Sequence, residues 1–314
     1  MEHDPGQHVP VLVEELIKVL EPEHGEVFAD CTFGRGGHTR AILQRLGRNG
    51  RVLALDRDPQ AIGVARALAN EDRRVSVYQA EFAGLEAIMT QANQSPDGVF
   101  FDLGVSSPQL EQPHRGFSFR ASGPLDMRMD PGAGESAADW LARATREEIT
   151  KVLKEYGEER YAKRIATRIV NHRQQTSIET TTQLAEIIVA ALPAKARYAS
   201  GAQHPATRSF QAIRIHVNGE LEQLRLGLEQ ALEVLKVGGR LAVISFHSLE
   251  DRLVKRFIRG YANPPRPSRH LPLPTDLPAP RLSVAYPVQR PSSEECQRNP
   301  RARSAVLRSA VKSR

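Results

Sequence analysis

Three carboxylates stand where a parallel α/β sheet would present them to a ligand. Asp30 closes the apolar run Val27-Phe28-Ala29-Asp30. Asp56 closes Arg51-Val52-Leu53-Ala54-Leu55-Asp56, and Asp102 closes Gly98-Val99-Phe100-Phe101-Asp102. The first run leads into Cys31-Thr32-Phe33-Gly34-Arg35-Gly36-Gly37-His38, a glycine turn that opens a helix. Glycines there let the backbone turn sharply and let a ligand approach the main chain. Asp56 lies 20 residues after Gly36, where a carboxylate can accept hydrogen bonds from both hydroxyls of an adenosine ribose. Asp58, just before Pro59, is the natural cap of the following helix. That leaves Asp56 without a structural role and assigns it to a nucleotide.

The turn does not fit a dinucleotide. In Gly-x-Gly-x-x-Gly the third glycine would fall at Thr39. An acidic Asp30 beside the turn would repel a pyrophosphate and attract a cation. S-adenosylmethionine carries an ammonium and a sulfonium and no phosphate, so a methyltransferase is favoured over a dehydrogenase. Asp102 is expected at the same crevice, beyond the carboxyl ends of the strands, with Gln109 reaching it from Leu103-Gly104-Val105-Ser106-Ser107-Pro108.

Other residues narrow the chemistry. Methylation at C5 of a pyrimidine usually needs a cysteine that adds to the ring. Cys31 sits in the glycine turn and Cys296 near the C-terminus, neither after the fourth or fifth strand, so transfer to nitrogen or oxygen is favoured. An amine acceptor needs groups that hold it and aim its lone pair. Many amino-methyltransferases follow such an aspartate with two prolines and an aromatic. Here Leu103-Gly104-Val105 take their place, and Asp102 is expected to orient the cofactor or the amine. His114-Arg115-Gly116-Phe117-Ser118-Phe119-Arg120 offers rings and guanidinium groups to a flipped base; equally, it could tuck Phe117 and Phe119 into a core. His247 is read as structural, and Trp140, Met127 and Met129 as core. No spacing of His, Cys and Asp suggests a structural metal site; Asp126 and Asp130 would bind a cation only adventitiously.

These residues require elements to position them. Strand patterns at 27–30, 51–56, 75–78, 98–103 and 240–245 alternate with helical patterns at Thr39–Leu46, Gln60–Ala69, Leu85–Ala92 and around Leu221–Leu235. Alternation implies βαβ units and a parallel sheet. From Ala137 to Leu192 only helical signals occur, including Arg146–Tyr156, Arg160–His172 and Thr182–Leu192. Leu282–Val288 and Ala305–Val311 read as late strands. The architecture is a discontinuous α/β domain over 1–112 and 210–314, with a helical insert at 113–209 suited to substrate recognition.

The chain has 314 residues and a net charge of +6. Residues 262–314 hold ten Lys/Arg against three Asp/Glu, and ten of the 21 prolines. All the excess positive charge therefore sits in the last sixth of the chain, a plausible surface for phosphates. Arg208, Arg214, Arg301 and Arg303 are candidate phosphate contacts. No apolar run approaches a membrane span of ~18 residues, the N-terminus lacks a signal-peptide pattern, and two cysteines build no disulfide framework. A cytoplasmic location without membrane contact is expected.

The longer strings resemble a known family. Asp102-Leu103-Gly104-Val105-Ser106-Ser107-Pro108-Gln109-Leu110, Pro124-Leu125-Asp126-Met127-Arg128-Met129-Asp130, Ile244-Ser245-Phe246-His247-Ser248-Leu249-Glu250-Asp251-Arg252 and Asn299-Pro300-Arg301-Ala302-Arg303-Ser304-Ala305 are similar to those of bacterial 16S rRNA cytosine-N4 methyltransferases. The resemblance runs from about His8 to the C-terminus. It implies a Rossmann-like S-adenosylmethionine-dependent methyltransferase domain with an inserted helical domain. It also implies a cytosine in the decoding region of 16S rRNA as acceptor, on free rRNA or in the small ribosomal subunit. Cofactor contacts would fall on Gly36, Gly37, His38, Asp56, Phe82, Asp102 and Gln109, with the Phe82 ring against adenine. A homodimer is compatible with the sequence. Two other readings are a nucleotide-cofactor oxidoreductase, which the failed fingerprint disfavours, and a non-catalytic RNA-binding assembly factor.

Overall fold

A computed structural model describes residues 10–197, 204–264 and 279–314. Most of the proline-rich stretch Asn263–Pro280, with Arg266 and Arg269, lies outside the described residues. The chain divides into two compact units, Met1–Gly104 with Leu221–Arg314, and Val105–Glu220.

The first unit holds a seven-stranded sheet: β1 Val27–Asp30, β2 Arg51–Asp56, β3 Val75–Gln79, β4 Gly98–Asp102, β5 Arg240–Ser245, β6 Leu282–Ser283 and β7 Val306–Lys312. Their spatial order is β3-β2-β1-β4-β5-β7-β6. The first five pair in parallel, and β7 runs antiparallel to β5 and β6. The five parallel strands are those expected from the sequence, and the antiparallel edge makes the sheet mixed. β1 and β4 are buried almost throughout, which is why they read as unbroken apolar runs rather than alternating ones. Alternate residues feed two cores. Val27, Ala29, Leu53, Val99 and Phe101 join the core beneath Leu224, Leu228 and Leu232. Phe28, Val52, Ala54 and Phe100 join the one containing Leu16 and Ile42.

The order reverses between β1 and β4. The chain leaves β1 toward β2 but enters β5 from β4, so the carboxyl ends of β1 and β4 diverge. Open α/β sheets bind ligands at such a point. Of the two late strands, β7 is as expected. β6 is only two residues, with Val284 and Val288 exposed (58% and 45%). Pro287 has no N–H to offer a ladder, and pairing resumes only as a single bridge, Gln289 to Leu307.

The second unit is helical, with Ala137–Arg143, Arg146–Gly157, Ala162–Arg173, Thr181–Ala191 and Thr207–Asn218 its longer helices. Its core contains Met127, Trp140, Ile149, Ile165, Leu184 and Phe210, placing Met127 and Trp140 as expected, whereas Met129 is only half-buried and lies outside this core. Thr145 and Thr180 cap two helices through reciprocal bonds with Glu148 and Gln183. Among the described residues no helix is long and apolar enough to cross a membrane.

Candidate functional site

The glycine turn leaves β1 at Asp30. Gly34 and Gly36 adopt φ of 54° and 75°, the left-handed region that costs L side chains energy. A Cβ on Gly36 would lie 2.5 Å from the Phe33 ring, and one on Gly37 would lie 2.6 Å from Pro10. With Gly36 in that conformation, the next helix begins at Gly37 and runs to Leu43, two residues earlier than the sequence pattern predicts.

Each of the three carboxylates ends its strand and is held differently. Asp30 is buried; Oδ1 accepts from the Thr32 N–H (3.1 Å) and Oδ2 from the Thr39 hydroxyl (2.6 Å). Asp56 Oδ2 accepts from the Gly34 N–H (2.8 Å) and Oδ1 from the Asp58 N–H (2.9 Å). Asp58 caps the helix Pro59–Glu71, as expected, by accepting from the Gln60 N–H. Asp56 thus has the structural role that sequence reasoning denied it: it ties the glycine turn to the end of β2. Each carboxylate oxygen has a second lone pair, so this tie leaves capacity for ribose hydroxyls. Asp102 is the least satisfied. Its Oδ1 is buried without a hydrogen-bond partner, and its Oδ2 lies 3.5 Å from His38 Nδ1.

Burial raises all three acids, Asp30 to about 7, Asp56 to about 6 and Asp102 to about 7, the last also through the negative charge of Glu250. His38 moves the other way: burial lowers its pKa, so the ring is neutral. Its Nε2 meets the Val11 carbonyl at 2.9 Å. A carbonyl only accepts, so Nε2 carries the proton and the bare Nδ1 faces Asp102. A neutral imidazole gives Asp102 no positive charge to rest against. Among the described residues no Lys or Arg pairs with Asp30, Asp56 or Asp102, so their burial favours the protonated forms.

That donor set fits S-adenosylmethionine. The glycine turn offers main chain where a side chain has no room. The carboxyl groups suit an ammonium or sulfonium and would repel a phosphate.

The sequence profile of the MraW methylase family matches residues 6–313. The chain belongs to the MraW methylase family. Proteins named ribosomal RNA small subunit methyltransferase H are close relatives. The one from Pseudoalteromonas atlantica is 52% identical, over 97% of this chain and 98% of its own. That from Thiobacillus denitrificans is 54% identical, over 96% of each. Among solved structures, a putative rRNA methylase from Clostridium thermocellum aligns at 13% identity and a TM-score of 0.45, covering 98% of this chain and all of its own.

Against this membership the remaining expected site residues can be located. Phe82 follows β3 and is half-buried, its ring edge-on to Phe101 at 5.4 Å between centroids. Gly227 makes room for it: a Cβ there would lie 2.6 Å from Phe82 Cβ. Gln109 is buried in the helix Ser107–Glu111. Its Oε1 accepts from the Ser106 N–H (2.9 Å), half of a capping box. The Ser106-x-x-Gln109 spacing announces that box, and the sequence reading passed over it. Thr32 and Thr39 were also missed, because their importance lies in partners that only the fold supplies.

The loop 114–120 resolves toward structure. Phe117 is buried, and Phe119 packs between Phe210 and His204, with centroids at 4.7 and 4.5 Å. Arg115 is buried and donates to the Met129 carbonyl (2.8 Å). His114 and Arg120 remain exposed. Asp126 is engaged by Arg128 through both oxygens at 2.8 Å. His247 caps the helix Ser248–Ala262, the structural role expected of it. Of the candidate phosphate contacts, Arg214 is a correction: it pairs with Glu220 through two bonds of 2.8 and 2.7 Å, both side chains largely buried. Its 3.6-residue neighbours gave no sign of this, since Glu220 lies just past the helix end. Arg208 and Arg303 are exposed and Arg301 half-exposed.

Proposed function

We propose that this protein transfers the methyl group of S-adenosylmethionine to the N4 amine of a cytosine in the decoding region of 16S rRNA, on free rRNA or in the small ribosomal subunit. The donor rests on one observation, the three carboxyl groups that end the neighbouring strands β2, β1 and β4 beside the glycine turn, Asp30 buried and Asp56 and Asp102 partly so. The acceptor rests on the family and on what its relatives are named for.

Gly36 and Gly37 would admit the donor to the main chain, and Asp56 would take its ribose hydroxyls on lone pairs left by Gly34 and Asp58. His38, Phe82, Asp102 and Gln109 complete the proposed contacts. When bound, the donor supplies an electrophilic methyl on a positively charged sulfur. Because Oδ1 is enclosed by protein, Asp102, whose side chain is 26% exposed, orients the donor or the target amine with Oδ2. An N–H of the amine held on that oxygen would hold the nitrogen lone pair in line with the methyl group. As the N–C bond formed, the methyl's bond to sulfur would break, leaving a neutral thioether, and that amine proton would have to leave, for which a carboxyl poised near neutrality is a suitable acceptor. Cys31 does not compete as a nucleophile: it is buried, and burial raises its thiol well above the ordinary range. The helical unit would recognise the RNA, and a cytoplasmic enzyme would meet its substrate there.

The test is to incubate the purified protein with labelled S-adenosylmethionine and unmodified small subunits, digest the RNA and identify the labelled nucleoside by mass spectrometry. Labelled N4-methylcytidine is expected. Label on another nucleoside would overturn the acceptor, and absence of both label and cofactor binding would overturn the enzyme.

A further inference from the structure

β1 and β4 stop sharing main-chain hydrogen bonds just where the site begins. The Cys31 N–H still donates to the Phe100 carbonyl (3.0 Å). Two residues further along β4, the ladder calls for an acceptor from the continuation of β1. That continuation has swung away, and the Phe33 N–H donates to Leu55 of β2 instead (2.9 Å). The Asp102 N–H finds its acceptor in a side chain, the Thr32 hydroxyl, at 2.5 Å.

Thr32 is itself tied back. Its N–H donates to Asp30, whose other oxygen accepts from Thr39 in the helix Gly37–Leu43. The chain Thr39–Asp30–Thr32–Asp102 therefore spans the glycine turn from its far end to β4. His38, next to Thr39, stands at the Asp102 carboxyl. The main-chain hold on Asp102 and the ring beside its carboxyl both come from the turn that would seat the methyl donor. On the other side, only the sheet continues: Leu103 N–H donates to Ile244 of β5 (3.0 Å).

We propose that Thr32 is a positioning residue for methyl transfer: its hydroxyl replaces the lost strand partner of Asp102, so that the glycine turn and Asp102 hold one fixed geometry. This rests on the function proposed above. Serine keeps the oxygen, whereas valine keeps the shape and removes the acceptor, leaving a buried N–H unpaired.

The experiment compares wild type, T32S and T32V. In cofactor-free protein, hydrogen exchange at the Asp102 amide should be at least tenfold faster in T32V than in wild type, with T32S close to wild type. With saturating S-adenosylmethionine and small subunits, T32V should lose at least tenfold in kcat, with KM for RNA within threefold, and T32S should stay within threefold of wild type in both. Should T32V not accumulate folded, T32A removes the same oxygen and carries the comparison. Active wild type with unimpaired T32V, or T32S as impaired as T32V, overturns the role of Thr32 and leaves the proposed function standing. Inactive wild type overturns the function and the role together.

Discussion

Asp102 combines a buried oxygen without a partner, a neutral histidine beside it and a pKa near 7. Such a residue costs stability in its charged form, which marks it as a candidate for contact with a ligand. D102N should lower methyl transfer at least ~100-fold, a loss typical of removing a positioned acid–base group. The same change should stabilise the cofactor-free protein. The sign follows from linkage: a folded-state pKa above the unfolded value means that the folded chain binds more protons, so stability falls as pH rises between them. With Asp30, Asp56 and Asp102 all raised, the wild-type melting point should fall from about pH 4 to about pH 7. D102N should match wild type near pH 4 and exceed it by at least ~2 °C at pH 8. Thermal melts across that range decide it; equal slopes would show that Asp102 does not carry the burial cost. At this scale the sequence was informative about residue type and poor about partners. Three acidic strand ends announced the site. That Asp56 also ties down Gly34, or that Gln109 closes a capping box, depended on hydrogen bonds whose geometry strand and helix patterns do not specify.

The glycine turn is the element on which the site depends. G36A must place a Cβ 2.5 Å from the Phe33 ring at a φ of 75°, so the turn must shift. Isothermal titration should show cofactor affinity reduced at least tenfold, with a lower melting point from the left-handed alanine, about 1 kcal/mol. An unchanged affinity would remove the turn from the site. The strands were legible because β1, β2 and β5 are bounded apolar runs, each closed by a polar residue. The helix Val13–Leu20 was not. It starts from Leu12 in the left-handed region with no side-chain cap, and the Leu12 N–H is satisfied by Glu295, 283 residues away. A cap supplied from so far leaves no local start signal, although Leu16, Val19 and Leu20 at helical spacing and Glu14 and Glu15 in the first turn were there to be read. For Phe117 and Phe119 the sequence left both readings open for a related reason: aromatic residues beside arginines look alike whether they stack on a base or pack inward, as Phe119 does on Phe210.

Across the whole chain, the charge asymmetry survives as a prediction rather than a description. Much of the basic side-chain inventory is internally matched: Arg281 pairs with Glu233, Arg308 with Asp251, Arg214 with Glu220. Arg301 and Arg303 flank the buried Ala302 in a short turn, Arg301 half-exposed and Arg303 exposed. The double variant R301A/R303A should weaken binding to 16S rRNA evenly across sequences. It should also flatten the dependence of log K on log salt by about 1.4–1.8, measured by filter binding from 50 to 200 mM salt. A slope identical to wild type would assign RNA contact elsewhere.

The antiparallel strand β7 lies between β5 and β6 and pairs along the whole of β5, from Arg240–Val311 to Ser245–Val306. On the ribosome, the glycine turn and β1 to β4 emerge long before this partner does. Until residues 306–312 have been made, β5 presents an open edge, and β6 has nothing to pair with. The half of the sheet that carries the turn must therefore wait, incomplete and adhesive, for more than two hundred residues of synthesis. Among the described strands, the one made latest is the one that joins β6 to the rest and completes the sheet.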